Sequence, residues 1–149
     1  MTAAFERGTD GPRVILVGVD GSPTSLRAAA YAAGLARRQR SRLVAVFVAE
    51  HATPMAGWVP AAQVAARDAA AEVDAELRRE LAPAAERLGI EVEYLQVQGD
   101  PVTELSRIAD RLPADAVLVG ASEQAGHRVV GSVAVRLVRV GRWPVTVVP

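Results

Sequence analysis

Five short runs of aliphatic and β-branched residues divide this sequence, at 14–19, 43–48, 90–97, 116–120 and 145–148. The residues between successive runs are enough for a helix and its turns. Runs that are apolar at nearly every position are typical of strands buried on both faces of a parallel sheet. The pattern therefore predicts an α/β fold in which helices cover both faces of a five-stranded parallel sheet, as a three-layer αβα sandwich.

Two of the intervening segments begin with a clear helix-start signal. Ser22 precedes Pro23, and a serine hydroxyl can accept a hydrogen bond from an orphan amide while proline occupies the first turn. We expect this helix to continue to about Arg40. Asp100 precedes Pro101 in the same way, so a second capped helix is predicted there, with its buried stripe spaced three or four residues apart.

The other helices are predicted from composition and spacing. Residues 61–88 are rich in alanine, with apolar positions on one face, and Pro83 should kink or divide this helix. A short helix is predicted at 132–140, after a loop at 121–131. The strand at 90–97 alternates apolar and acidic residues at first, which favours a place near the edge of the sheet.

The size and charge of the chain limit its class. Its 149 residues, half of them hydrophobic, predict one domain at 13–149 preceded by a flexible arm at 1–12. Seventeen basic and seventeen acidic side chains give a formal net charge of zero, so neither nucleic acid nor a membrane surface is an expected partner. With no signal peptide or apolar membrane span in the sequence, we expect a cytoplasmic protein.

Several kinds of chemistry are excluded by missing residue types. The absence of cysteine excludes disulfides, thiolate metal sites and cysteine nucleophiles. All basic residues are arginine, which excludes Schiff-base chemistry and a phosphate-loop lysine. His51 and His127 are the only histidines and lie far apart in the sequence, so no metal site is expected.

A ligand-binding crevice is expected at one end of the sheet. In parallel α/β sheets, ligands bind beyond the carboxyl ends of the strands, where the strand order reverses. Two turns rich in glycine and serine follow predicted strands, at 20–22 and 120–132. These two turns are the candidates for the walls of that crevice.

In their order and spacing, four motifs resemble the universal stress protein family. They are Val-Asp-Gly-Ser at 19–22, Gly-Asp-Pro at 99–101, Val-Gly-Ala-Ser at 119–122, and Gly-Ser at 131–132 ahead of the apolar run at 143–148. The resemblance covers 14–148. It implies the strand order 3-2-1-4-5, a homodimer paired through the last strand, and ATP or another adenine nucleotide as ligand.

The same resemblance assigns residues to the nucleotide. It implies that Gly18, Val19 and Asp20 meet the nucleoside, that Val48 flanks adenine and that Gly120 approaches the ribose. The complete set of candidate binding residues is Gly18, Val19, Asp20, Val48, Val119, Gly120, Glu123, Gly131, Ser132 and Val133.

The phosphate-binding part of the family signature is altered in this chain. In the family, a glycine is followed after two residues by a second glycine, and after nine more by Gly-Ser or Gly-Thr. Here Glu123 takes the place of the second glycine, and the loop before Gly131 is two residues shorter. A carboxylate at Glu123 could repel a triphosphate or help to hold Mg²⁺.

Two candidate residues have a structural alternative. Asp20 could bind the nucleoside or hold its own turn by accepting backbone hydrogen bonds. Ser132 could cap the last helix or contact phosphate, and one hydroxyl could serve both roles. If the last strand pairs with a second copy, a proline at Thr146 is predicted to remove an edge amide.

The function implied by the resemblance is that of a regulatory, nucleotide-binding protein in stress responses, with an unidentified protein partner. Occupancy of the crevice would order the 121–131 loop and bias the dimer or a partner surface. One alternative is a dimeric interaction module that binds no nucleotide. A second is a slow ATP hydrolase, although no catalytic residues are predicted.

Overall fold

The computed structural model of the protein describes residues 13–50, 60–124 and 127–149. Strands and helices alternate along most of the chain. Their order is β1 (Val14–Val19), α1 (Pro23–Gln39), β2 (Arg42–Ala49), α2 (Pro60–Leu88), β3 (Val92–Gln98), α3 (Pro101–Arg111), β4 (Ala116–Gly120), β5 (Ser122–Gln124), β6 (His127–Val129), α4 (Ser132–Val140) and β7 (Val145–Val148).

Five of the strands form a parallel sheet in the order β3-β2-β1-β4-β7. With β7 counted as the fifth strand of the sheet, this order confirms the predicted 3-2-1-4-5. β1 lies at the centre, where Val17 pairs with Ala45 of β2 and Leu118 of β4. The chain leaves β1 towards one edge and returns to the other side of it at β4, so the strand order reverses between these two strands.

Helices cover both faces of the sheet, as the apolar runs predict. On one face, Ile15 and Val17 of β1 belong to a buried cluster with α1 and α2. On the other face, Leu16 packs in a second cluster with α3 and α4. Because adjacent residues of β1 enter opposite clusters, the strand needs an apolar side chain at nearly every position.

The free edge at β7 has a defined backbone orientation. The amide of Val117 on β4 donates to the carbonyl of Pro144 at 2.9 Å. Backbone groups of successive strand residues point to opposite sides, so Thr146 also faces β4, whereas Val145 and Val147 face the open edge. The prediction that Thr146 presents an edge amide is therefore wrong.

The predicted helix caps at the first and third helices are confirmed. The Ser22 hydroxyl accepts a hydrogen bond from the amide of Ser25 at 3.2 Å. The Asp100 carboxylate accepts one from the amide of Thr103 at 2.9 Å. In both helices a proline follows the capping residue. The amide at this first helical position has no partner within the helix, so proline loses no hydrogen bond there.

Two elements differ from the expectation. Pro83 does not divide α2, which is one helix on both sides of it. Arg79, whose carbonyl loses its helical partner, is exposed to water. The predicted loop at 121–131 contains two short antiparallel strands, β5 and β6. In their register, Glu123 lies opposite Arg128. Three-residue strands of polar sequence give no periodic signal, so they could not be distinguished from a loop.

Some expectations concern residues outside the described ranges. The arm at 1–12 and His51 lie there. Among the residues that are described, no helix is both long and apolar enough to cross a membrane.

Candidate functional site

A cleft of about 540 Å³ opens at the carboxyl ends of β1 and β4, where the strand order reverses. This volume lies within the usual range for small-ligand sites. The structure brings nine of the ten candidate residues to the wall of this one cleft: Gly18, Val19, Asp20, Val48, Val119, Gly120, Glu123, Gly131 and Val133. Ser132 does not line it.

The turn after β1 forms one wall and is held by its own side chains. Asp20 accepts a hydrogen bond from the amide of Ser22 through Oδ1 at 2.9 Å. Its own amide donates to the hydroxyl of Ser25 at 3.2 Å. Gly21 has a φ of +83°, a conformation that favours glycine. Asp20 therefore has the structural role in its turn, at an exposed position on the rim of the cleft.

The end of β4 forms the opposite wall and touches the start of α1. A Cβ atom at Gly120 would lie 2.5 Å from the carbonyl carbon of Thr24 and 2.7 Å from the amide nitrogen of Ser25. Backbone atoms cannot move away as a flexible side chain can, so only glycine fits at this position. This close approach fixes the two walls of the cleft relative to each other.

The third wall is the amino-terminal end of α4. Gly131 is the N-cap residue, and no side chain supplies a capping hydrogen bond. Of the two roles considered for Ser132, the helix cap is therefore wrong: Ser132 is the first helical residue, and it is exposed. Gly131, Val133 and Ala134 line the cleft, so the positive end of the helix dipole lies beside it.

β5 lies directly against the beginning of α4. A Cβ atom at Gly131 would lie 2.2 Å from the hydroxyl oxygen of Ser122, so the serine side chain occupies that space. The next residue, Glu123, pairs with Arg27 of α1 at 3.2 Å, and both side chains are about half exposed. The Arg27 Nε also donates to the carbonyl of Pro149 at 3.1 Å. One guanidinium thus contacts both the cleft rim and the end of the chain.

The floor of the cleft is apolar. Val46 and Val48 of β2 line it together with Leu105 of α3. A Cβ atom at Gly18 would lie 3.2 Å from Leu105 Cδ1, so the lack of a side chain there lets α3 pack closely. An apolar floor beneath polar walls suits a flat aromatic group with a polar substituent.

Sequence reasoning missed several residues that line the cleft. Val46 lies two positions before Val48 on the same strand, and Leu105 belongs to the predicted buried stripe of α3, so periodicity could have found both. Glu50 follows β2 directly. The remaining lining residues that were missed are Pro23, Thr24, Ser25, Pro101 and Ala134. Ser22, Ala121 and Ser122 also line the cleft and lie within the two turns that were predicted to form its walls.

An ion pair next to the cleft joins the amino-terminal end of α3 to the middle of α4. Arg136 donates to both carboxylate oxygens of Asp100, at 2.9 and 3.0 Å. The Arg136 guanidinium, with further hydrogen bonds from Thr103, holds the pKa of Asp100 well below its usual range. Asp100 therefore serves as helix cap and as the link between two helices.

A model of the universal stress protein family matches residues 12–149, nearly the whole chain. The chain belongs to the universal stress protein family. Among similar proteins, a universal stress protein of Methanocaldococcus jannaschii is 26% identical over 152 residues, covering 99% of this chain and 88% of the relative.

Solved structures of the universal stress protein family have the same fold. UspA from Lactobacillus plantarum is 25% identical with a TM-score of 0.79, and the match covers 93% of this chain and 99% of that one. A universal stress protein solved in complex with cAMP is 27% identical with a TM-score of 0.60, covering 93% and 98%. This agreement confirms the family resemblance and the predicted three-layer fold.

In this universal stress protein, the charged side chains that line the cleft are acidic among the described residues. Asp20, Glu50 and Glu123 line it, and no arginine does so among the residues whose side chains are described. Within the same part of the chain, no three acidic or histidine side chains converge as a metal-binding group. The other polar groups of the described lining are the hydroxyls of Ser22, Thr24, Ser25 and Ser122 and the backbone groups of the turns.

Proposed function

We propose that the chain is a regulatory protein that binds an adenine nucleotide in the cleft between β1 and β4. The observation that carries this proposal is the convergence of the Asp20–Ser22 turn, Gly120 and the start of α4 on one cleft with an apolar floor. A purine ring would rest on Val48, and a phosphate would meet the positive end of the α4 dipole.

The comparisons support this choice of ligand. One similar universal stress protein, 27% identical to this chain, was solved with cAMP. The cleft of this chain lies at the strand-order reversal, which is where α/β sheets bind nucleotides in general.

We propose that occupancy acts on the dimer or on a partner protein in stress responses, in the cytoplasm. Arg27 could couple ligand binding in the cleft to the edge strand β7. It donates hydrogen bonds to Glu123 at the cleft rim and to the backbone oxygen of Pro149 just beyond β7. A ligand bound beside Glu123 would alter its contact with Arg27 and, through Arg27, the chain beside the edge strand. A homodimer paired through β7 would be sensitive to that change.

The first experiment identifies the ligand directly. Freshly purified protein is denatured, and the released small molecules are analysed for adenine nucleotides. Calorimetric titration of the ligand-free protein with AMP, ADP and ATP then gives affinities. We expect binding in the micromolar to millimolar range, and we expect Val48→Trp, which fills the apolar floor, to abolish it.

The matched control is Val64→Trp, because Val64 is 55% exposed on α2 and does not line the cleft. Equal loss of binding in both variants would contradict the proposed site. If no nucleotide is released and none binds at millimolar concentration, the result favours the alternative of an interaction module that binds no nucleotide. The altered loop around Glu123 is the feature that motivates this alternative. If the unmodified protein releases phosphate from ATP and Val48→Trp does not, the chain is instead a slow ATP hydrolase.

A further inference from the structure

Glu123 brings a negative charge to the part of the cleft where a phosphate chain would extend. It lines the cleft next to Ser122, and Ser122 in turn lies against Gly131 at the start of α4. The ion pair with Arg27 at 3.2 Å holds the carboxylate at this rim. Arg27 itself does not line the cleft.

To bind a phosphate in the cleft, Arg27 would have to leave two contacts. Its guanidinium donates to the carbonyl of Pro149 as well as to Glu123. Moving it into the cleft would break both contacts and would leave Glu123 without this partner, facing the phosphates. Each step disfavours a highly charged ligand.

The rest of the cleft adds to this effect. Asp20 and Glu50 are also acidic, and among the described side chains the lining contains no basic residue. In the same described residues, the carboxylates do not converge with other acidic or histidine groups into a metal site that would recruit a neutralising cation. Among the described residues, the amino-terminal end of α4 favours an anion, but its dipole acts only over its first turn.

From these contacts we infer that Glu123 is a specificity-determining residue that restricts the cleft to adenine nucleotides with a single phosphate group. One phosphate fits the end of α4, whereas the β- and γ-phosphates of ATP meet the Glu123 carboxylate. This inference rests on the proposed function, because it concerns the ligand of the same cleft.

The test compares AMP, cAMP, ADP and ATP by calorimetric titration, in EDTA and in excess Mg²⁺. For the unmodified protein we expect AMP and cAMP to bind at least about tenfold more tightly than ATP in both buffers, as expected for repulsion between close charges. Glu123→Gln keeps the shape of the side chain and removes its charge. It should reduce the ratio of AMP affinity to ATP affinity by about tenfold. Glu123→Gly serves as a second variant.

The matched control is Glu93→Gln. Glu93 also pairs with an arginine, Arg42, at 3.2 Å, but it lies on β3 and does not line the cleft. Its substitution should leave the ratio of AMP to ATP affinity unchanged. Circular dichroism spectra of all variants establish that each is folded.

The outcomes separate this inference from the proposed function. If ATP or Mg²⁺-ATP binds the unmodified protein as tightly as AMP does, or if neither Glu123 variant changes the ratio, the inference is wrong while nucleotide binding stands. A change of the ratio by Glu93→Gln as large as that by Glu123→Gln also overturns it. If none of the four nucleotides binds, the proposed function fails and the inference fails with it.

Discussion

Arg136 of α4 donates two hydrogen bonds to the Asp100 carboxylate, which caps α3 at the same time. One side chain thus caps α3 and links it to the middle of α4. The cap and the ion pair can be separated by substitution, because asparagine also caps helices but carries no charge.

We predict that Asp100→Ala lowers the free energy of unfolding by about 1 kcal/mol through loss of the cap. Asp100→Asn should lower the free energy of unfolding by less, because asparagine keeps the cap and loses only the charge. Urea unfolding at neutral pH measures both. Equal losses in the two variants would mean that the cap contributes nothing beyond the ion pair.

The same residue predicts an acid dependence. The pKa of Asp100 is lower in the folded protein than its ordinary value of 3.8, so the carboxylate stabilises the fold above that pH. This contribution is lost as the pH falls below 3.8. Stability curves of the unmodified protein and Asp100→Asn should therefore converge at low pH. Parallel curves would contradict the assignment.

Tyr94 of β3 provides the opposite pH dependence. Burial raises the pKa of Tyr94 above its ordinary value of 10.0, and the hydrogen bond to Asp74 at 2.7 Å raises it further. A raised pKa means that the neutral phenol stabilises the fold below about pH 10, and that this contribution is lost as the pH rises above it.

Tyr94→Phe should lower the free energy of unfolding by about 1 kcal/mol near neutral pH, because it removes this hydrogen bond between β3 and α2. It should also raise the pKa of Asp74, which the bond now lowers. NMR titration of the Asp74 carboxyl group measures that shift. An unchanged titration would show that the bond does not form in solution.

The contact between Gly120 and Thr24 predicts that even one methyl group is destabilising. A Cβ atom at Gly120 would overlap backbone atoms of α1, so Gly120→Ala should lower the free energy of unfolding by about 1 to 3 kcal/mol.

Gly34→Ala is the matched control for that substitution. Gly34 lies inside α1, and its nearest described neighbour, Arg38 Nη1, is 3.5 Å from an added Cβ atom. Here alanine should stabilise the protein by up to about 1 kcal/mol through helix propensity. Thermal unfolding of both variants should therefore give shifts of opposite sign; shifts of the same sign would contradict the packing described for Gly120.

The orientation of β7 predicts which proline disrupts a dimer paired through this strand. Val147 faces the open edge, so Val147→Pro removes an amide available to a second copy while it spares the bonds to β4. Thr146→Pro instead removes a bond within the sheet. We expect Val147→Pro to be a folded monomer in light scattering, and Thr146→Pro to lose stability. A folded Val147→Pro dimer would refute pairing through this edge.

Much of the fold could be predicted because the signals are local. The apolar runs define the buried strands, and Ser22 and Asp100 cap helices through residues three positions away. The crevice followed from a general rule for parallel sheets. These features need only short stretches of sequence and the alternation of strands with helices.

The remaining features depend on contacts between distant residues. Glu123 meets Arg27 across 96 positions, and Gly120 contacts Thr24 only because β4 lies beside β1. The side to which Thr146 points depends on the register with β4, and one residue of register reverses it. No local pattern carries this information, so the edge amides could not be assigned correctly.

The central claim is that an adenine nucleotide binds between the ends of β1 and β4. The most direct measurement is an NMR titration of ¹⁵N-labelled protein with AMP, followed through the glycine amides. We expect the amide signals of Gly18, Gly120 and Gly131 to shift with one common dissociation constant. The signals of Gly89 and Gly141, which do not line the cleft, should stay in place. Shifts confined to Gly89 and Gly141, or no shifts at millimolar AMP, would contradict it.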